Sequence, residues 1–401
     1  MMRDSLFILN AGSSSIKFAL FAINHRMTLE IVVRGQISSL DEKPHFLVRN
    51  QRNDSIHQEI YANQSKRLTM AHKQALEKIV YWLELNYSQY KIFAAGHRIV
   101  HGGHLYTQPV LIDDAIVNQL ERFNGLAPLH QPYTIFPIKF LSKRYPQLCQ
   151  VACFDTAFHQ TQLPLARLFA LPDDIAAVPI RRYGFHGLSY EYIAQVLPNY
   201  LGKHVANSRI IIAHLGYGAS LCAIRERKSV ATTMGFSVLE GLPMGTRCGT
   251  IDPGVLLYLL TNENMSVKQL SELLYEHSGL LGLSSISGDI QVLLENKDRK
   301  AKLAIDYFVY HINREIGALT ATLNGLDGLI FTAGIGENSP DIRAKICDLA
   351  SWLGIRLNPV ANNKNESCIS SSESAIPVWV IPTNEESIIA QHTFNIMKTR
   401  Q

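Results

Sequence analysis

No stretch of this 401-residue sequence reaches the roughly 18 consecutive apolar residues that a membrane-spanning helix needs. No block of five or six like charges occurs either, and the densest basic spot near a motif is the pair Arg181-Arg182. Lys and Arg total 38 against 34 Asp and Glu, a net charge of +4. Spread over this length, that charge is too weak to attract nucleic acid or a membrane surface, and neither is expected as a partner. Cysteine is scarce: six residues, at 149, 153, 222, 248, 347 and 368, without a CxxC pair or a metal-like histidine cluster. They read as reduced, mostly buried thiols. The short apolar run Leu6–Leu9 gives way at once to the polar residues 10–15, unlike the core of a signal peptide, so the cytoplasm is the expected compartment. Apolar residues make up 47% and charged residues 18%, a mixture that excludes disorder and can fill the cores of two or three domains.

An apolar run, Leu6–Asn10, enters the small-residue turn Ala11-Gly12-Ser13-Ser14-Ser15 and leaves through a second run, Ile16–Ile23. Strand, turn, strand is the plain reading. The same layout recurs at Arg209–His214, Leu215-Gly216-Tyr217-Gly218-Ala219 and Ser220–Arg225, with Gly216 standing 204 residues after Gly12. Two such units half a chain apart predict a duplicated architecture. A third glycine turn, Gly334-Ile335-Gly336-Glu337-Asn338, follows the apolar run Leu329–Phe331. Its backbone N–H groups suit an anion. Helical periodicity appears at Met70–Leu85, Ile112–Leu120, Ser189–Val196, Val267–Leu274, Lys302–Leu323, Ile342–Trp352 and Glu385–Met397. Ser266 and Ser339 are expected to cap the helices that follow them, and the Asn- and Ser-rich stretch 362–374 reads as an exposed loop. Strands alternating with helices give an α/β class.

Eight short segments carry the chemistry. They are Asn10-Ala11-Gly12-Ser13-Ser14-Ser15-Ile16-Lys17, Gly96-His97-Arg98-Ile99-Val100-His101, Ala127-Pro128-Leu129-His130, Phe154-Asp155-Thr156-Ala157-Phe158-His159, Arg182-Tyr183-Gly184-Phe185-His186-Gly187, Met244-Gly245-Thr246-Arg247, Gly334–Asn338, and Pro382-Thr383-Asn384-Glu385-Glu386. In this order, from about Leu6 to Gln391, they resemble the acetate/propionate kinase family. The resemblance implies a duplicated actin-like, sugar-kinase (ribonuclease H-like) fold of two α/β domains hinged over a central cleft. It also implies reversible transfer of the ATP γ-phosphoryl group to acetate, giving acetyl phosphate and ADP, with Mg²⁺ (Mn²⁺ as an alternative ion) and a homodimer.

Such a reaction brings two anions together, so cations must converge. A guanidinium can grip a carboxylate or phosphoryl group with two parallel hydrogen bonds. By the resemblance, Arg98 holds the acyl carboxylate, Arg247 stabilises the transition state, and His186 donates a hydrogen bond to the phosphoryl group. Val100, Leu129 and Phe185 match the apolar wall of the acetyl pocket, and His130 serves either structural support or catalysis. Asp155 holds an active-site position, but a carboxylate substrate has no proton to lose at neutral pH. Asp155 is therefore expected to orient Arg98 or Arg247 rather than act as a base. Asn10 and Glu385 are the implied Mg²⁺ ligands, each read as standing at the end of an apolar strand, with Glu386 pointing elsewhere. Lys17, His214, Leu215, Gly216, Tyr217, Gly218, Asp289, Ile290, Gln291, Gly334, Ile335, Gly336, Glu337 and Asn338 are expected to meet ATP or ADP.

Six positions depart from the family pattern. Tyr217 stands where asparagine is usual, Gln291 where arginine is, Tyr190 where histidine is, and Val238 where proline is common; Cys248 and Thr250 replace serine and aspartate. The expected domains are residues 1–156 with 387–401, and residues 157–386, the second carrying most of the nucleotide site. The rivals are a propionate or short-chain fatty acid kinase and a non-catalytic, chaperone-like ATP-binding protein.

Overall fold

The computed structural model describes residues 2–40, 42–62, 68–128, 130–172, 175–176 and 178–400. The chain folds as two compact units, Met1–Ala157 with Asn384–Gln401, and Phe158–Thr383. Glu385 and Glu386, expected in the second domain, therefore belong to the first unit. The cause is local: Glu385 begins the helix Glu385–Lys398, whose buried residues Ile389 and Thr393 crowd Gly96 on the first sheet.

The sheet of the first unit contains β1 (Arg3–Ala11), β2 (Ile16–Ile23), β3 (Leu29–Ser38), β4 (His45–Asn50), β5 (Ser55–Ile60), β6 (Tyr90–Ile99), β7 (Val110–Leu111) and β8 (Cys149–Phe154). Their order across the sheet is β5-β4-β3-β2-β1-β6-β8-β7. In the second unit β9 (Ile210–Leu215), β10 (Ala219–Arg225), β11 (Lys228–Thr232), β12 (Gly328–Thr332) and β13 (Val378–Val380) lie in the order β11-β10-β9-β12-β13. This order repeats β3-β2-β1-β6-β8. In each case the first strand pairs antiparallel with its hairpin partner and parallel with a later strand. The 204-residue offset carries Leu6–Ala11 onto Ile210–Leu215, so the sequence repeat is a repeat of the sheet.

The chemistry of the central strands explains their position. β1 and β9 are almost wholly buried, as expected of apolar runs covered on both faces. In the first unit Phe7, Phe18, Leu20, Ile79 and Leu83 pack between sheet and helix; in the second, Ile193, Leu197, Ile210 and Ile330 do so. The seven expected helices are present, with shifted ends. The helix Gln131–Arg144 was not expected, because Pro132 and Pro137 obscure its period, yet Pro132 sits in the first turn where it is tolerated. Ser266 caps its helix through a full capping box with Gln269. Ser339 precedes the helix Pro340–Leu349 but makes no side-chain cap. The stretch read as a loop from Asn362 is partly ordered and inward: Asn362 lies in the last turn of the helix Pro359–Asn363 and is buried.

Candidate active site

In the first unit the ends of three neighbouring strands assemble one cluster. Asn10 lies near the end of β1 and Arg98 near the end of β6, and Asp155 directly follows β8. The Asp155 carboxylate is fully buried and accepts from Arg98 Nε at 3.0 Å and from Nη2 at 2.6 Å. Arg98 Nη1 faces Asn10 Oδ1 at 3.3 Å. Burial pushes the Asp155 carboxyl up, to about 6, against the pull of the guanidinium, and Glu385 adds to the rise. Burial also disfavours the Arg98 charge, but Asp155, Glu385 and Glu386 outweigh it and hold the guanidinium charged. Asp155 thus braces Arg98 through the Nε–Nη2 edge. With Asn10 taking one N–H of Nη1, one N–H on each terminal nitrogen remains for an anion, on a side chain that retains 17% exposure.

Asn10 Nδ2 donates to Glu385 Oε2 at 2.8 Å. The two are together, but not for the reason the sequence suggests. The apolar strand before Glu385 belongs to the other unit's sheet; Glu385 arrives on its own helix. Glu386 does not point away: its Oε1 is buried and, among the described residues, lacks a hydrogen-bond partner. Lys17 faces Asn10 across the β1–β2 hairpin and is exposed. Val100 is buried immediately after β6. His130 precedes the helix Gln131–Arg144, whose Gln131 side chain exchanges two hydrogen bonds of 3.0 Å with the His101 backbone. Leu129 lies outside the described residues.

In the second unit His186 and His214 stack, ring centres 4.1 Å apart. His186 adopts a left-handed backbone (φ 58°) immediately before the helix Gly187–Ala206, a conformation uncommon outside glycine. What holds it is His159, from the segment Phe154–His159. The buried His159 ring bonds the Phe185 carbonyl at 2.9 Å and Ser229 Oγ at 2.9 Å, and burial lowers its pKa to about 4. Gly184 (φ +76°) must be glycine, because a Cβ there would meet the His159 ring at 2.5 Å. His159 was missed as a site residue; only its place in a motif marked it. Around the turn Leu215–Ala219, a Cβ on Gly218 would sit 3.5 Å from His186 Nε2 and 3.7 Å from Arg247 Nη1. Glycine keeps open the space on which these two groups converge. Arg247 Nη1 also faces the Val238 carbonyl at 3.3 Å.

A cavity of about 290 Å³ is lined by Gly216, Tyr217, Gly288, Asp289, Ile290, Gln291, Gly334, Ile335, Asn338 and Ser339. It gathers most of the expected nucleotide residues. Tyr217 is largely exposed, and its ring closely covers Gly245 and approaches Gly288. Several side chains are otherwise engaged. Asp289 caps its own helix by accepting from Gln291 N, and Gln291 Nε2 donates to Glu295 at 2.8 Å. Glu337 accepts from the backbone of Ala333 and Thr383, Asn338 donates to the Gly334 carbonyl, and Leu215 is a core residue. The contribution of these five side chains is to hold the turns and the helix beside them in shape. Arg343, also missed, does the same from behind. It is fully buried and donates to the Gly336 and Glu337 carbonyls and to Asn362 and Asn365.

Residues 5–391 match the Acetokinase family. A protein named acetate kinase from Nitrobacter hamburgensis is 47% identical over 99% of this chain and 97% of its own length. One from Rhodopseudomonas palustris is 46% identical over 98% and 99%. Among solved structures, a propionate kinase from Francisella tularensis superposes with a TM-score of 0.87 at 36% identity, over 98% of this chain and 99% of that one. The acetate kinase of Porphyromonas gingivalis does so with 0.82 at 33%, over 98% and 100%.

Proposed function

Because this chain belongs to the acetokinase family and is a kinase with a carboxylate acceptor, we propose that it transfers the ATP γ-phosphoryl group reversibly to acetate. The products are acetyl phosphate and ADP. The observation that carries this reading is the buried Arg98–Asp155 pair, which fixes a guanidinium with one edge left for an anion. Acetate binds that edge through its carboxylate and turns its methyl group to Val100. Asp155 orients Arg98 and takes no proton, since the acceptor is already ionised. His186 donates a hydrogen bond to the oxygens of the transferring group and Arg247 neutralises the charge that grows on its three equatorial positions. The glycine turns hold the nucleotide phosphates.

Asn10 and Glu385 offer the hard oxygen donors that Mg²⁺ prefers, and few protein ligands suffice for that ion. The negative charge of Glu385 and Glu386, felt by Arg98, and the buried Glu386 Oε1 without a hydrogen-bond partner among the described residues suit a cation beside this pair. Mg²⁺ bound there would neutralise phosphate oxygens. The six free cysteines agree with a reducing compartment, and among the described residues no helix is long and apolar enough to cross a membrane. We read the enzyme as a cytoplasmic homodimer. The test is acetate-dependent consumption of ATP, with hydroxylamine trapping acetyl phosphate as the hydroxamate; no acetate-dependent hydroxamate would sink the reading.

Propionate is the second acceptor, favoured by the likeness to the Francisella tularensis propionate kinase. One methylene is worth about 1–3 kcal/mol, so acetate is preferred only partially. Val100→Ala should enlarge the acyl space and move the kcat/KM ratio toward propionate. An unchanged ratio would remove Val100 from the pocket wall.

At the nucleotide, Tyr217 and Gln291 replace a compact amide and a permanent positive charge. ATP is therefore held less tightly than by the usual pair. Reverting both, Tyr217→Asn with Gln291→Arg, should lower KM for ATP and leave KM for acetate nearly unchanged. If ATP binds no better, the exposed Tyr217 ring is part of a remodelled pocket, and a panel of ATP, GTP and pyrophosphate would identify the donor it serves.

A further inference from the structure

Tyr190 stands one helical turn after His186 on the helix Gly187–Ala206 and is wholly buried. Its ring packs against those of Phe158, His159 and His214, at centroid distances of 6.4, 5.7 and 6.2 Å. Its Oη lies 2.5 Å from Ser220 Oγ. Ser220, also wholly buried on β10, lies 2.8 Å from His186 Nδ1. Among the described residues the Tyr190 hydroxyl has no other hydrogen-bond partner, and the Ser220 hydroxyl has only these two.

These two contacts fix the direction of every proton. Burial keeps the phenol protonated far into alkaline conditions. If Tyr190 accepted from Ser220, its own buried proton would have no hydrogen-bond acceptor among the described residues, a penalty buried donors avoid. Tyr190 therefore donates to Ser220. Ser220 is left with its own proton to donate, and His186 Nδ1 is the acceptor within reach. A neutral imidazole whose Nδ1 accepts carries its proton on Nε2. Nε2 is the nitrogen turned to the open space at Gly218, where a Cβ would lie 3.5 Å from it and 3.7 Å from Arg247 Nη1.

We infer that Tyr190 is a positioning residue: through Ser220 it locks His186 in the Nε2–H tautomer and so presents a hydrogen-bond donor at the Gly216–Gly218 turn. The inference rests on the phosphoryl-transfer reading of His186 given above. It also gives the departure at position 190 a physical meaning. Histidine there could either donate or accept, whereas a buried neutral phenol with one partner satisfies its proton only by donating.

The experiment uses the full-length protein with ¹⁵N-labelled histidine at pH 8, without substrates, and His186→Gln to assign the ring signals. The wild type should show His186 Nδ1 unprotonated and Nε2 protonated. In Tyr190→Phe the ring is kept and the donor lost, so Ser220 can turn either way and both nitrogen signals should move toward a tautomer average. Ser220→Ala cuts the relay from the other side and should also release the tautomer. In the acetate and ATP assay, Tyr190→Phe should lower kcat roughly 3- to 10-fold while both KM values stay within about twofold, the pattern of an interaction lost mainly in the transition state. A protonated Nδ1 in the wild type would overturn the proposal without any variant. So would unchanged His186 signals in Tyr190→Phe or in Ser220→Ala, even if kcat fell, because the role would then be structural. A wild type that shows the Nε2–H tautomer but makes no acyl phosphate would overturn the proposed reaction and leave the relay standing.

Discussion

Replacing Arg98 by alanine is expected to lower kcat/KM by roughly 10²–10⁴, the range for removing a preorganised charge-stabilising donor, and Arg247→Ala should do the same. The two losses differ in what accompanies them. Arg98 is the partner of a fully buried carboxylate, so Arg98→Ala strands Asp155, and orphaning one member of a buried pair costs about 3–5 kcal/mol. Burial already raises the Asp155 pKa, so the stranded carboxyl takes up a proton more readily still. Arg247 Nη1 faces the Val238 carbonyl and the Met244 thioether, and its alanine variant should lose activity. Lysine should rescue neither site fully, because an ammonium lacks the planar fork of a guanidinium, and at position 98 it cannot keep Asp155 and offer a second edge at once. Steady-state kinetics with a parallel urea unfolding curve separates the two effects. Near-wild-type kcat/KM in either alanine variant would remove that arginine from the active site.

The second large effect is expected at Arg343, far from any proposed chemical step. Its guanidinium has five hydrogen bonds of 2.6–3.0 Å, to the Gly336, Glu337 and Asn362 carbonyls and the Asn362 and Asn365 side chains. Arg343→Met keeps much of the volume but leaves those acceptors buried and unsatisfied, at about 1–3 kcal/mol for each group that cannot reach water. A loss on the order of 3–5 kcal/mol in unfolding free energy should follow once relaxation is allowed for. Because two of the acceptors belong to the turn Gly334–Asn338, KM for ATP should rise in whatever folded protein remains, with KM for acetate unaffected. Unchanged stability would mean that the pocket around position 343 is wet. Unchanged KM for ATP would mean that the turn keeps its shape without the arginine.

The legible parts of the fold were those written in local pattern. The apolar runs around Gly12 and Gly216 showed both hairpins and their 204-residue offset, since buried strands must be apolar and tight turns need small residues. Seven helices showed their period, whereas Gln131–Arg144 hid behind two prolines. β3 to β5 were missed because half-exposed, polar-rich strands lack a continuous apolar run. At the site, residue types and order identified Arg98, Asp155, His186 and Arg247 as candidates. The sequence could not say which carboxylate served which guanidinium.

By itself the sequence determined the family, the duplicated α/β plan and the set of polar side chains from which a phosphoryl-transfer site could be built. Each follows from short stretches of chain: apolar periods, glycine turns and motifs whose residues are neighbours in sequence. Only the tertiary structure decided which distant residues meet. It set Asp155 on Arg98 across 57 positions and brought Glu385 to Asn10 on a helix rather than a strand. It turned Asn362 inward to Arg343, and it gave Tyr190 a single hydroxyl partner that fixes the proton on His186. Pairing, burial and proton direction depend on what surrounds an atom in space, and a linear pattern specifies that only where the partners lie within a few residues of each other.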